Sequence, residues 1–441
     1  MRRGPRTLAP RAGRRRRPLR FARIRANTQP LRTPAFGRLL ASYTLNSTGD
    51  YVGLVALAVL VYAETRDPLA TTALFISMQF VPAFVAPILT ARLDQLAPRV
   101  VLPTLYALEG AIFVALAWVA TSFWLPAVLA LALLDGVLML TARGLTRGVV
   151  NAVLQPAGLL REGNGLLNVG FAFASVGGAA LGGVLVATFG ASTALAVDAA
   201  SFAVIAGILV TCRHLPSAHA ERQPFLQRVR AGFDHVRSDR IARVLVGGEA
   251  LALLFFTLIV PIEVVYAEET LHADEAGYGI LVSAWGAGVV LGSMGFLAVR
   301  RWSTIALILV STAAIGIAYL GMSVARDLVL ACAFSVLGGI GNGVQWVSVM
   351  TALQESTPQD LQARVTGVLE SVASAMTGVG FLIGGVLTSL TSPPTAFAVS
   401  GIGVVVVVLF LGVAWRGLHP ALGHTGDGPA ARMCAPGVSD S

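Results

Sequence analysis

Seven carboxylates stand inside stretches of sequence that are otherwise almost free of charge: Asp50, Glu109, Asp135, Asp198, Glu249, Glu263 and Glu370. A carboxylate in apolar surroundings is costly, so one kept there is the first place to look for chemistry. The rest of the sequence narrows what that chemistry is. No nucleophile is paired with a histidine, and no Walker A run offers a phosphate cradle. The six histidines lack ligand spacing and fall outside the apolar runs, while Cys212, Cys332 and Cys434 are far apart with no CxxC. An enzyme is therefore not expected, nor a metal or any other cofactor. Isolated carboxylates of this kind suit the uptake and release of protons, provided their ionisation falls in the working pH range.

The elements that must carry them follow from composition. Of 441 residues, 55% are hydrophobic and only 12% charged, where soluble domains carry about a quarter charged. The charges cluster between long apolar runs, as they do when the solvent is lipid. The runs predict spans at 38–63, 69–91, 100–121, 123–142, 165–187 and 190–212, then at 243–267, 277–299, 303–324, 327–350, 366–389 and 393–415. Each is about the twenty residues that cross a hydrocarbon core. All 32 basic residues are arginine, the usage that GC-rich bacterial codons give. With residues 1–36 inside, 30 arginines fall on that side and only Arg66 and Arg326 opposite. Such a bias places both termini in the cytoplasm.

The expected organisation is a basic cytoplasmic arm at 1–36, a six-helix bundle at 37–212, a cytoplasmic linker at 213–242, a second bundle at 243–415 and a tail at 416–441. The arm holds twelve arginines and no acid. It reads as a disordered segment leaning on anionic lipid headgroups; a cleaved targeting peptide or a nucleic-acid-binding arm are less consistent with its neighbours. In the linker, Phe225, Val229, Phe233 and Val236 stand at helical spacing among arginines, as in a helix lying along a membrane surface.

A shift of 202 residues superposes the fifth span on the eleventh, with nine identities in the thirty positions from Pro156 to Leu185. Gly165, Gly178, Gly182 and Gly183 then fall on Gly367, Gly380, Gly384 and Gly385. Two parallel halves of six helices, with the substrate site between them near the midplane, is an arrangement of secondary transporters.

With these features the chain resembles the major facilitator superfamily, and within it the bacterial drug- and siderophore-exporter branch that includes enterobactin and macrolide exporters. The resemblance runs over 37–415 and is most specific at 164–202, 277–293 and 352–368. The superfamily's fifth-helix antiporter motif, Gly-x8-Gly-x3-Gly-Pro-x2-Gly-Gly, is matched by Gly165, Gly178, Gly182 and Gly183, whereas Ala174 and Ala179 depart from it. These glycines, with Gly380, Gly384 and Gly385, are the expected sliding contacts of a conformational change, or plain small-residue packing. The loop at 90–99 keeps Asp94 and Arg99 of the superfamily's charged loop motif. The resemblance implies that Asp94, with Arg99 or Arg147, latches the outward-facing state.

In that fold the first, fourth, seventh and tenth helices line the cavity. The resemblance therefore selects Asp50, Asp135 and Glu249, with Glu109 beside them, as proton-coupling or substrate-binding candidates. Asn46, Gln79, Asn342, Gln345 and Trp346 are expected to complete the walls, aromatics and amides suiting bulky amphipathic substrates. Glu109 has a second reading, as partner of an arginine at the cytoplasmic end, and Asp198 one as a packing residue.

The expected protein is an all-α membrane protein of twelve transmembrane helices in two pseudo-symmetric six-helix bundles. It is read as a monomeric, multi-pass exporter of a small amphipathic drug, macrolide or siderophore-like compound in a bacterial cytoplasmic (inner) membrane, driven by proton antiport. A nutrient importer and a non-transporting scaffold or receptor remain as alternatives. Its expected partners are the small molecule, protons and membrane lipids, and not nucleic acid.

Overall fold

In the computed structural model, residues 29–212, 215–216, 233–299, 302–358 and 361–416 are described. The greater part of the basic arm, most of the linker with Phe225 and Val229, and the tail beyond 416 lie outside them.

Among the described residues, twelve helices are long and apolar enough to cross a membrane, and there is no strand. They are α1 (Pro34–Thr65), α2 (Pro68–Leu93), α3 (Pro98–Val119), α4 (Leu125–Leu154), α5 (Leu160–Phe189) and α6 (Ala191–Val210), followed by α7 (Arg240–Thr270), α8 (Glu275–Val299), α9 (Thr304–Val324), α10 (Leu328–Ser356), α11 (Gln362–Leu390) and α12 (Pro393–Arg416). Twelve crossings bring the start of α1 and the end of α12 to one face, called here the terminal face; the other is the distal face.

Helix starts carry the expected chemistry. Asp67, Asp239, Ser303 and Asp327 each accept a backbone N–H of the following first turn, and proline stands at the first turn of α1 to α4. α1 is the axis of the first bundle: from Val55 to Tyr62 every residue is buried.

Three departures from the sequence expectation matter for function. α4 does not end at 142 but runs to Leu154, so Arg143 and Arg147, expected in a cytoplasmic loop, lie on a helix. Arg143 is retained there because an acidic partner awaits it inside the bundle, a contact that no local hydropathy reports. α7 is regular only to Thr257; it then passes through a short 3-10 turn at Val260–Ile262, containing Pro261, and a π-turn at Tyr266–Thr270. Proline withholds an N–H from the helical ladder, and the stretch of backbone beyond it re-packs against the first bundle. Val264, Val265 and Ala267 accordingly belong to the hydrophobic core built around α1. Residues 233–238 of the linker are helical, and Val236 is buried with Leu245, Val246 and Ile308 at the terminal end of the second bundle.

Candidate functional site

The two halves meet along two seams. On one, α5 faces α8: a Cβ on Gly183 would stand 3.0 Å from the Cα of Gly279. One level below, the Ser283 hydroxyl donates to the Val176 carbonyl at 2.9 Å, and Gly286 abuts Ser175. On the other, α2 faces α11: Gly385 meets the Thr72 hydroxyl, Phe75 and Phe381 pack edge-on with centroids 5.8 Å apart, and Gly378 meets the Phe80 ring. At the distal surface Arg66 pairs with Glu268 at 2.5 Å, and the Tyr62 hydroxyl donates to Glu269. All these contacts lie from mid-membrane to the distal face. The halves are thus closed over the distal side of the molecule's centre.

Beneath that closure lies an ion pair. Asp50, midway along α1, accepts a 2.7 Å hydrogen bond from Nη2 of Arg143 on α4. The two side chains keep 11% and 28% of their surface accessible. Asn46, one turn before Asp50, donates through Nδ2 to the same oxygen at 3.0 Å and is itself buried; it was expected on the cavity wall, and holds the carboxylate from behind instead. A charge-assisted pair of this geometry is strong, and it becomes costly to leave either member alone.

The first bundle buries three further carboxylates around this pair. Glu109 on α3 is wholly out of solvent, and neither carboxyl oxygen has a hydrogen-bond partner; no arginine at the terminal face reaches it, the second role expected for it. Asp198 on α6 lies in a notch made by Gly49 and Gly53 of α1, its Oδ1 accepting from Ser201 at 3.1 Å. A side chain at either glycine would overlap this carboxylate, so the packing role expected of Asp198 has a visible form. Asp135 is buried on α4, beside Gly136, whose lack of a side chain lets the Met78 carbonyl of α2 approach.

The second bundle is arranged differently. Glu249 on α7 is buried and accepts from the Gln345 amide of α10. Asn342 and Phe256 line a small cavity beside that pair, and Trp346, on the adjoining face of α10, is exposed. Gln79 is half-buried within a π-turn of α2, Ile76–Phe80. Glu370 is exposed near the terminal end of α11. Glu263 lies on the irregular distal stretch of α7.

The expected latch is not made in this structure: neither ion pair joining described residues, Arg66–Glu268 and Arg143–Asp50, involves Asp94, Arg99 or Arg147. The antiporter-motif glycines divide by neighbour. Gly178 and Gly182 bring α5 against Thr48 and Val52 of α1, Gly380 and Gly384 bring α11 against Leu254 and Leu258 of α7, and Gly183 and Gly385 serve the two seams. Nothing stands within 4 Å of a Cβ built on Gly165.

Reading the sequence missed Arg143 and the distal group Tyr62, Arg66, Glu268 and Glu269. One signal for Arg143 was available: Gln345, singled out on α10, stands 202 residues after it, at the displacement of the internal repeat. Among the described residues no three His, Cys, Asp or Glu side chains are grouped to hold a metal ion.

Comparison with known proteins extends these observations. The model of the transmembrane secretion effector family matches residues 25–421. The enterobactin exporter EntS of Citrobacter koseri is 28% identical over 239 residues, an alignment that covers 52% of this chain and 55% of the exporter. The chain thus spans about half the length of that relative. The multidrug efflux pump Tap of Mycobacterium tuberculosis is 26% identical over 377 residues, covering 81% of this chain and 87% of the pump. Among solved structures, a mutant form of the nucleoside transporter NupG superposes with a TM-score of 0.71 at 14% identity, over 86% of this chain and 99% of that one. The POT family transporter PepTSo gives 0.70 at 11%, over 88% and 98%. At such identities the structural likeness speaks for the fold alone.

Proposed function

Because this chain belongs to the transmembrane secretion effector family, whose members are transporters of the major facilitator type, we propose that it exports a small amphipathic compound by alternating access, in exchange for protons. That it is a multi-pass membrane transporter follows from the family and the twelve spans. In this reading, the terminal face is cytoplasmic, as the arginine asymmetry favours, the membrane is a bacterial inner membrane, and the protein works as a monomer.

The observation that carries the reading is the Asp50–Arg143 pair, set midway along α1 and only partly accessible, with the halves in contact on its distal side. A carboxylate held by a cation inside a membrane protein has two states of nearly matched charge balance: ionised and paired, or protonated with the cation released to another anion. Conversion between them changes which helices are held together, here α1 and α4, and so couples protonation to the position of the cavity wall. The distal seams then describe the conformation open to the cytoplasm. Asp94, Arg99 and Arg147 stand free of one another in it, in keeping with a latch that closes only in the opposite state. Trp346, Asn342 and Gln79 supply an apolar face and amides for a bulky amphipathic passenger. The relatives named as exporters of enterobactin and as a multidrug pump support that class of compound and that direction.

The test is transport in everted vesicles with an imposed pH gradient and a panel of dyes, macrolides and siderophores. The reading expects gradient-dependent accumulation of at least one compound, abolished by Asp50→Asn at unchanged protein level. Uptake by intact cells with no accumulation in everted vesicles would overturn export. Accumulation indifferent to the pH gradient would overturn antiport.

A further inference from the structure

Two carboxylates on the helices beside α4, Asp50 and Glu109, stand level with Arg143, and the structure satisfies only one of them; Asp135 lies about two turns away on α4 itself. The register of the helices fixes this. α3 and α4 run antiparallel, and Tyr106 of α3 hydrogen-bonds Thr146 of α4 at 3.4 Å. One turn toward the distal face from that contact, residue 109 on α3 comes level with residue 143 on α4. α1 gives the same level independently: Phe113 of α3 packs on Gly53, which sets Glu109 beside Asp50 one turn below. Of this triad, Asp50 holds the guanidinium through Nη2, while the Nε of Arg143 is buried without a partner and both oxygens of Glu109 are buried without one. Asp135, Asp198 and Asp50 all act electrostatically on Glu109, opposed in sign only by Arg143.

An ionised carboxylate with no hydrogen bond, no solvent and three acidic neighbours is the least favourable form this side chain can take. Resting on the transport reading above, we infer that Glu109 is the alternate partner of Arg143 and holds a proton whenever Asp50 holds the guanidinium. The exchange balances. The proton leaves the Glu109 carboxyl and is gained by Asp50; the Nη2–Oδ2 bond to Asp50 breaks and a guanidinium bond to Glu109 forms. The summed charge of the three groups is zero before and after, so the switch demands no net charge movement in the bundle interior. Its structural result is that Arg143 releases α1 and takes hold of α3. Glu109 is thus the inner proton position and Asp50 the one that communicates with the cavity.

Infrared difference spectroscopy on the purified full-length protein tests this without a substrate. Wild type minus Glu109→Gln should show one protonated-carboxyl C=O band. Asp50→Asn should lose that same band while the number of carboxylates stays unchanged, because Arg143 then turns to Glu109 and the ionised Glu109 replaces the ionised Asp50. Glu109→Asp should shift the band rather than remove it, and serves if the glutamine variant does not fold. A Glu109→Gln spectrum with no protonated band lost, or an Asp50→Asn spectrum that keeps it, overturns the inference. In vesicles, Glu109→Gln should lower gradient-driven accumulation at least about tenfold and flatten its dependence on pH, and Glu109→Asp should restore part of both. A loss that keeps the wild-type pH profile, with no recovery in Glu109→Asp, marks a merely structural residue and also overturns it. If the transport reading itself fails, wild-type vesicles show no gradient-driven flux while the spectra still behave as stated.

Discussion

The two bundles hold a carboxylate of their first helix against their fourth helix by different means. In the first bundle Asp50 meets Arg143, and three more buried acids surround the pair. In the second, Glu249 meets Gln345, which occupies the repeat position of Arg143, and the space beside the pair is lined by Thr312, Asn342, Phe256 and aliphatic side chains, with no further acid. The comparison teaches that an internal repeat keeps the geometry of a contact more readily than its charge. A neutral amide can satisfy a carboxylate in either protonation state, whereas a guanidinium strongly prefers the ionised one. On the proposed antiport, the first bundle is the half whose contact changes with protonation, and the second the half whose contact survives it.

The most severe way to break this difference is Arg143→Gln, which gives the first bundle the second bundle's residue. Removing one member of a buried pair costs about 3–5 kcal/mol. The expected result is a lowered Tm and gradient-driven flux reduced about a hundredfold, the upper end of typical coupling energies. The double variant Asp50→Asn with Arg143→Gln should recover the Tm and not the flux. If it recovers both, the pair only braces the helices and the contrast between halves is not functional.

Packing gives the next effect, with opposite signs at two glycines of one motif family. Gly384→Ala sets a methyl against the Leu258 carbonyl where α7 breaks, and overpacking of this kind costs about 1–3 kcal/mol. Gly165→Ala meets nothing, and should stabilise by about 0.5–1 kcal/mol through helix propensity alone. Thermal unfolding of the two variants reads both signs. A smaller effect is expected for Glu249→Gln, which keeps a hydrogen-bonding partner for Gln345: a net bond is worth about 0.5–1.5 kcal/mol, so flux should fall by no more than about tenfold. A loss matching that of Asp50→Asn would give the second bundle an equal share in coupling. The smallest effect belongs to Arg66→Ala at the exposed distal pair, worth about 0.2–1 kcal/mol. It should raise the labelling rate of a cysteine placed at Thr72 by a distal-side thiol reagent no more than about fivefold.

Much of this was legible in the chain, and the exceptions have physical reasons. Twelve spans, the division into six and six and the carboxylates within them follow from hydropathy, because lipid imposes its rule on every residue of a span in turn. Arg143 escapes since hydropathy ends a span at a charge, while its partner lies 93 residues earlier. Counting arginines by face also includes it, where it strengthens a bias it does not belong to. Glu109 is visible as a buried acid, but not that its oxygens lack partners, which depends on where α3 and α4 stand relative to each other. The break in α7 has a written signal in Pro261; that the released backbone settles onto the other half has none.

The turn at Arg66 has a consequence for how the distal face opens. Arg66 ends α1 in a left-handed conformation, φ 51° and ψ 28°, with its N–H on the Tyr62 carbonyl, and Asp67 at once caps α2 through the Leu69 N–H. Two residues, both bonded inward, leave no slack between the helices. α1 and α2 therefore move as a single lever whose tip is the charge that grips Glu268. α1 carries Asp50 at its midpoint and α2 carries the Thr72, Phe75 and Phe80 side of a seam. A displacement of α1 at Asp50 is delivered to the closure held by α2, with no further part needed to transmit it.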